Sequence, residues 1–596
     1  MVAATAADYL RKANAALQAN RLEEAATAFR RVIMRQRDHP DALFGLSFVL
    51  LQLRRPAEAL ATLKELTTLY PRAGAGWRLL AVALASSGER GAAVDHAHER
   101  AIACSAPNDP SPHTNYGTSL LLRGDTDRAA ESFRRALAID PNDSVAAQNL
   151  ANALSEEGKV AEAIELRRRA GALVPDDPKI GSKLLLDLHY LPDLPAEQIF
   201  DEHVRWVSRH ADPGRWPPPA YRNARDPARR LRVGYVSPDF RRHPVLSFIQ
   251  NVLTGHDRAQ FEVFAYSNTA APDQITAKLR DGGVVDVWRD IAFLSDDAAS
   301  KLIQDDQIDV LVDLAGHTGE NRATLFARAP APAQFTYLGY PDTTGVRAIQ
   351  FRLTDQIADP PGTSEPLATE MLIRLPDCFL CYRPDDDAPA PLPETPAVAN
   401  GFITFGSFNN FAKVTDSMLA LWGSILRDTP GSRIVFKAKS FASEVARQRV
   451  LSAFAKFDVA EDRVSMHSWV TYDQRHAIVA GVDIALDTFP YNGTTTTCEI
   501  LWLGVPCITL AGQTHVTRVS ASILRAIGHP ELITSTPDQY RLLAIDLARD
   551  IDRLNAYRSQ INQHMADSPL VDAPRFVRNL ENVYRVAWET WCKSSA

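Results

Sequence analysis

The chain has 596 residues, 65 Lys+Arg against 72 Asp+Glu, and a formal net charge of -7. That is too long for one hydrophobic core, and a prior of ~150 residues per domain implies three to four units. The small net charge, with no dominant basic cluster, excludes nucleic acid and an anionic membrane surface as expected partners and leaves proteins or small molecules.

The N-terminal run Met1 to Lys12 lacks the apolar core of a signal peptide, and no apolar run approaches ~18 residues. Six cysteines without a framework spacing suit a reducing compartment, so the predicted location is the cytoplasm. Cys378 and Cys381 have CxxC spacing without a second pair or a histidine cluster, which makes them packing residues rather than metal or redox ligands.

Residues 1–180 repeat. Pro71, Pro107, Pro141 and Pro175 lie 36, 34 and 34 residues apart, and Pro40 precedes the series by 31. Between prolines each unit reads as two amphipathic helices, with small and bulky residues one turn apart: Ala25 and Phe29, Ala59 and Leu63, Ala129 and Phe133. A 34-residue helix-turn-helix period is the tetratricopeptide signature, and about five copies exceed the roughly three needed to bury a continuous core. The expected partner is a protein segment on the concave face. A homodimer, which repeat solenoids often form, is specified by no particular residue.

Residues 181–230 continue as a helical linker until Pro213 and Trp216 to Pro219 break the pattern. From Arg230, apolar strand-like runs (FEVFAY, IDVLVDL, FTYLGY) alternate with helical stretches, the rhythm of a parallel sheet. Pro384 to Pro396 forms a second linker, after which the rhythm restarts at Phe402. The predicted fold is a helical solenoid followed by an α/β region of two Rossmann-like halves, 231–395 and 396–596. Ligands in such folds sit at the carboxyl ends of the strands, here in the cleft between the halves.

Four strand-following loops gather unusual polar residues. His243 lies past the first strand of the first half and His317 past another; a lone histidine is ordinarily a satisfied structural one. Phe405 to Lys413 opens the second half with Asn409, Asn410 and Lys413. A lysine is most often a solvated surface charge, but two amides and a lysine at a strand end also match what holds a diphosphate leaving group. The fourth loop, Asp487 to Glu499, places Gly493 and the row Thr494, Thr495, Thr496, Thr497 between a buried strand and a helix. A helix cap would account for a hydroxyl there. Four threonines exceed a cap's need, and free N–H groups at the positive end of a helix suit a pyrophosphate, with Glu499 placed to accept from a ribose diol.

The segments FGSFNNFAKVT, LDTFPYNGTTTTCEILWLGVPCITL, RLPDCFLCY, DLAGHTGENR and RVGYVSPDFRRHPV resemble the catalytic region of glycosyltransferase family 41. That family comprises protein O-GlcNAc transferases and SPINDLY protein O-fucosyltransferases, both with N-terminal tetratricopeptide repeats. The resemblance implies a GT-B enzyme that needs no metal or cofactor and transfers sugar from a nucleotide diphosphate to Ser or Thr hydroxyls with inversion. It implies that Lys413 contacts the distal phosphate, with Asn410 in the place of a phosphate-contacting glutamine. Thr495 and Thr496 match the helix-start hydroxyls, Glu499 the ribose ligand, and His243 the active-site histidine near acceptor and sugar. Arg475, with His476 beside it, falls where the family has a histidine.

Thr494 and Glu499 stand where the GlcNAc transferases carry histidine and aspartate, which favours GDP-fucose as donor. UDP-GlcNAc, or another activated sugar placed on flagellin, are the alternative donors, and an inert repeat scaffold is the alternative of a different class. The one acidic run of the kind that holds a metal, Asp385 to Asp387, lies in the Pro-rich linker rather than on a candidate site loop.

Overall fold

The computed structural model describes residues 5–89, 91–217 and 220–594. The chain divides into two compact units, 1–154 and 155–596.

The first unit is all helical. Antiparallel pairs run from Ala6–Gln18 and Leu22–Arg35, through Pro40–Gln52 and Pro56–Leu69, to Ser111–Leu122 and Thr126–Ile139. Small residues set the spacing between neighbours. Ala25, Ala59 and Ala129 have no exposed surface, and a Cβ on Gly117 would lie 2.6 Å from the Phe133 ring that fills its place. Packing of this kind makes the periodic residues structural.

In the second unit the helices Val160–Leu173, Pro178–Leu188 and Ala196–His210 precede two wholly parallel sheets. The first sheet contains β1 (Leu231–Ser237), β2 (Phe261–Ser267), β3 (Val287–Asp290), β4 (Val310–Asp313), β5 (Ala333–Thr336), β6 (Phe351–Asp355) and β7 (Met371–Leu375), in the order β3-β2-β1-β4-β5-β6-β7. The second contains β8 (Thr404–Ser407), β9 (Arg433–Lys437), β10 (Val464–His467), β11 (Ile484–Leu486), β12 (Cys507–Leu510) and β13 (Ile533–Thr534), in the order β10-β9-β8-β11-β12-β13. The central strands are buried on both faces, which is why they read as unbroken apolar runs. In each sheet the order reverses once, between β1 and β4 and between β8 and β11. Those reversals leave a crevice at the carboxyl ends of the strands.

The last helix, Ala573–Lys593, returns to the first sheet. Its Tyr584 hydroxyl lies 3.3 Å from that of Tyr235 on β1, Glu581 accepts from His256 Nδ1 at 2.9 Å, and Trp588 Nε1 donates to the Asp226 carbonyl at 3.0 Å. The chain therefore closes the first half with residues placed by sequence in the second.

Cys378 and Cys381 are buried and free. Burial pushes the Cys381 thiol up to about 12, and Cys378 packs 3.4 Å from Ser522 Oγ. Among the described residues no helix is long and apolar enough to cross a membrane.

Candidate functional site

The carboxyl ends of β8 and β11 carry the densest set of polar groups. Beyond β8, exposed Asn410 folds back to accept from the Ala412 amide at 3.2 Å and starts the 3-10 turn Phe411–Lys413. That turn aims Lys413 at the neighbouring loop. Its Nζ donates to the Asn492 carbonyl at 2.8 Å and sits 3.9 Å from the centroid of the Tyr491 ring. Among the described residues no carboxylate lies within ion-pair distance of it. Desolvation lowers its pKa to about 8. The buried Asp487 carboxylate, beyond ion-pair distance, opposes that fall, and an ammonium otherwise held by a carbonyl and a π face has room for an anion.

Beyond β11, Asp487 organises the facing loop. One carboxylate oxygen accepts from the amides of Thr488 at 2.9 Å and Gly493 at 2.8 Å and from Asn409 Nδ2 at 3.1 Å; the other accepts from Thr509 Oγ1 at 2.8 Å. Burial raises its pKa and these donors oppose the rise. The Tyr540 hydroxyl holds its carbonyl at 3.0 Å. Asn492 Nδ2 donates to Thr488 O at 2.9 Å, while Asn492 Oδ1 and Ser407 Oγ are buried with no protein partner.

The loop delivers the chain into the helix Thr495–Trp502. Thr494 stands at the N-cap but makes no side-chain cap bond, and Thr494, Thr495 and Thr496 are half-buried, so these hydroxyls are not consumed by capping. Thr497 behaves differently. It is 1% exposed and lies 3.1 Å from Ser520 Oγ, which itself donates to the Gly493 carbonyl at 3.0 Å. A Cβ on Gly493 would meet Thr497 Oγ1 at 2.3 Å. Internal packing against Thr497, with Asn409 and Asp487 behind it, is one reason for a glycine here, beside the close approach to a ligand expected of it.

Glu499 is not free either: Arg475, on the helix Tyr472–Ala480, pairs with it. Burial raises the Glu499 pKa against the pull of Arg475. The same helix brings in the acidic linker, because Tyr472 donates to Asp385 Oδ2 at 2.9 Å. Asp385 thus lies against the helix Tyr472–Ala480, within the linker that sequence assigned to it.

At the first sheet's reversal the two histidines part company. His243 is half-buried, with Nδ1 3.5 Å from Asp239 Oδ2. Burial lowers the imidazole pKa and raises that of Asp239, and the charge of each partner opposes the other's shift. His317 is 1% exposed. Its Nδ1 meets Ser182 Oγ at 3.0 Å, its Nε2 the Thr344 carbonyl at 2.8 Å, and its ring stands edge-on to Trp206 at 4.6 Å. Both nitrogens are engaged inside the protein and burial lowers its pKa to about 3. His317 is a structural histidine, contrary to the ligand role expected for it.

Sequence reasoning did not single out Asp487, Asp239 or Tyr491 as site residues. Asp487 had a signal, an aspartate closing a strand six residues before a glycine, whereas Asp239 and Tyr491 acquire significance only through what they face.

The profile described as glycosyl transferase family 41 matches residues 215–383 and 394–580. Tetratricopeptide-repeat profiles match residues 10–71, 49–110 and 120–184. A probable UDP-N-acetylglucosamine–peptide N-acetylglucosaminyltransferase SPINDLY from Arabidopsis thaliana is 40% identical over 423 residues, 69% of this chain and 45% of that protein. The probable enzyme SEC of the same plant is 31% identical over 375 residues, 61% of this chain and 38% of that one. The chain thus spans less than half the length of these curated relatives. Among solved structures, a point mutant of the Thermobaculum terrenum O-GlcNAc transferase matches with a TM-score of 0.79 and 32% identity, covering 94% of this chain and 98% of that one.

Proposed function

The chain belongs to glycosyltransferase family 41, and from that premise we propose that it transfers a sugar from a nucleotide diphosphate to serine or threonine hydroxyls of proteins, with GDP-fucose as donor. The observation that carries the reading is Lys413, a desolvated cation in no direct ion pair, with only the buried Asp487 carboxylate acting on it from beyond contact, at the point where the strand order of the second sheet reverses. A donor diphosphate supplies the missing anion. The unused hydroxyls of Thr494, Thr495 and Thr496 and the N-terminal amides of the helix Thr495–Trp502 add donors for it. No metal is needed for this role, because a lysine and a helix terminus stabilise charge developing on the leaving diphosphate.

The acceptor hydroxyl attacks the anomeric carbon from the face opposite the diphosphate, the carbon–oxygen bond to phosphate breaks, and the configuration inverts. His243, held neutral by burial, takes the hydroxyl proton directly or through one water, and Asp239 orients its ring. The repeats present the acceptor segment. UDP-N-acetylglucosamine is the second donor reading, supported by the names of the relatives at 40% and 32% identity. Thr494 and Glu499 favour the guanine nucleotide, while the intact, unpaired Lys413 argues against an inert scaffold.

A thermal-shift series with GDP, UDP, GDP-fucose and UDP-GlcNAc tests donor and site together, since a ligand of the folded state raises Tm. Stabilisation by the guanine nucleotides, lost in Lys413→Ala, supports the proposal. A response to uridine nucleotides alone replaces the donor, and no response to any of them removes the enzyme reading.

A further inference from the structure

Outside the donor site, four metal-capable side chains from three elements meet beside the first sheet. His189 follows the helix Pro178–Leu188, His203 lies on the helix Ala196–His210, and Tyr340 and Asp342 lie on the loop after β5. His189 Nε2 is 3.1 Å from Tyr340 Oη and 3.5 Å from Asp342 Oδ2, and His203 Nε2 is 2.8 Å from Tyr340 Oη. The two imidazole nitrogens and the carboxylate oxygen all lie within 4.8 Å of one another. Ligands about 2.1 Å from a tetrahedral ion stand about 3.4 Å apart. The cluster approaches that spacing.

The tautomer of His203 also fits, while His189 Nε2, which faces the Tyr340 oxygen and the Asp342 carboxylate, passes its proton to Nδ1 when an ion binds. His203 Nδ1 lies 2.8 Å from the Ile199 carbonyl, which can only accept, so Nδ1 carries the proton and Nε2 presents its lone pair. A backbone carbonyl on the far nitrogen is the usual outer support of a metal-bound histidine. We propose that His189, His203, Asp342 and the Tyr340 oxygen form a structural site for one divalent cation, with zinc the ion best suited to two imidazoles and two hard oxygens.

On binding, the hydroxyl proton that Tyr340 shares with His203 leaves to solvent. The dication then meets one carboxylate and one phenolate, a neutral assembly suited to an interior where His203 has no exposed surface. Asp342, 24% exposed, gives an entry path. Arg352, which lines a small cavity with Tyr340, is held by Asp359 at 3.3 Å and so brings its own counter-charge. Such an ion would clamp the two preceding helices to the loop after β5. The assignment is independent of the donor and of the reaction.

The test is the zinc content of the full chain, purified without chelator, followed by equilibrium dialysis against zinc chloride after EDTA treatment. One zinc per chain, with Tm lowered by EDTA and restored by zinc, is expected; cobalt in its place should give the visible bands of a tetrahedral site. Asp342→Asn, a near-isosteric change at a partly exposed position, should weaken zinc about tenfold or more, and His203→Gln should abolish the bound ion. If His203→Gln does not fold, Asp342→Asn decides alone. A wild-type chain that takes up no zinc, or zinc binding unchanged in Asp342→Asn, overturns the site and leaves a hydrogen-bonded cluster.

Discussion

The two sheets reverse their strand order at equivalent places, and an aspartate ends the same strand's run in both, yet only in the second does the aspartate's loop meet a desolvated lysine. After β4, Asp313 accepts from the Ala315 and Gly316 amides at 3.0 and 2.9 Å; after β11, Asp487 accepts from Thr488 and Gly493. Both carboxylates shape the loop that follows. In the first sheet that loop carries His317 inward to Ser182 and Thr344, while in the second it presents Asn492 and Tyr491 to Lys413. Topology provides the place for a site, and the inventory of unsatisfied groups decides whether one is there.

The comparison is broken most severely by removing the cation. Lys413→Ala is expected to lower turnover about 10³-fold while leaving Tm unchanged or raised, because a desolvated charge has gone. Near-normal turnover in a transfer assay would take lysine out of the mechanism. Next in size is the pair of histidines. His243→Ala should lower kcat about 10²-fold, whereas His317→Gln should cost stability, about 2 kcal/mol from an unmade buried hydrogen bond, with kcat unaffected below its Tm. Denaturant melts alongside initial rates separate the two, and the reverse assignment would follow if His317→Gln lost rate without losing stability.

Glu499→Gln keeps the shape but weakens both the Arg475 pair and any ribose contact. Nucleotide affinity measured by calorimetry should fall about tenfold, on the scale of one charged hydrogen bond; an unchanged Kd would make the pair purely structural. The gentlest probe is pH. Lys413 titrates near 8 in the free protein, so the diphosphate-binding cation is present below that pH and is lost above it. Affinity should therefore decline as pH rises past 8, and in Lys413→Arg, which stays charged, the decline should vanish. His243 gives the opposite limb: its pKa lies below the usual value, so the base form persists at neutral pH and kcat/KM should fall only in acid. In Asp239→Asn that limb should move lower still, since the carboxylate is what raises the imidazole's pKa.

Much of the molecule was legible in the chain. The proline period and the buried alanines Ala25, Ala59 and Ala129 identify the repeats, because one helical hairpin cannot bury its own apolar face. The strands of both sheets are apolar on both faces and stand out for that reason. Lys413, Thr494, Thr495 and Thr496 could be placed at a strand end or helix start from spacing alone. The inward turn of His317 and the ion pair of Glu499 were not legible, because they depend on Ser182, Thr344 and Arg475, which lie 135, 27 and 24 residues away. The crowding of Gly493 by Thr497 was likewise visible only in the folded chain.

By itself, then, the sequence determined the repeat solenoid, the two parallel sheets, the family and the loops that hold the site, all of which follow from local periodicity and contiguous motifs. Only the tertiary structure decided that the last helix closes the first sheet, that one histidine turns inward while another stays half-exposed, and that Lys413 is desolvated outside any direct ion pair. The reason is physical: burial and partnership are properties of groups far apart in the chain, and a charge or imidazole takes its role from what surrounds it once the chain has folded.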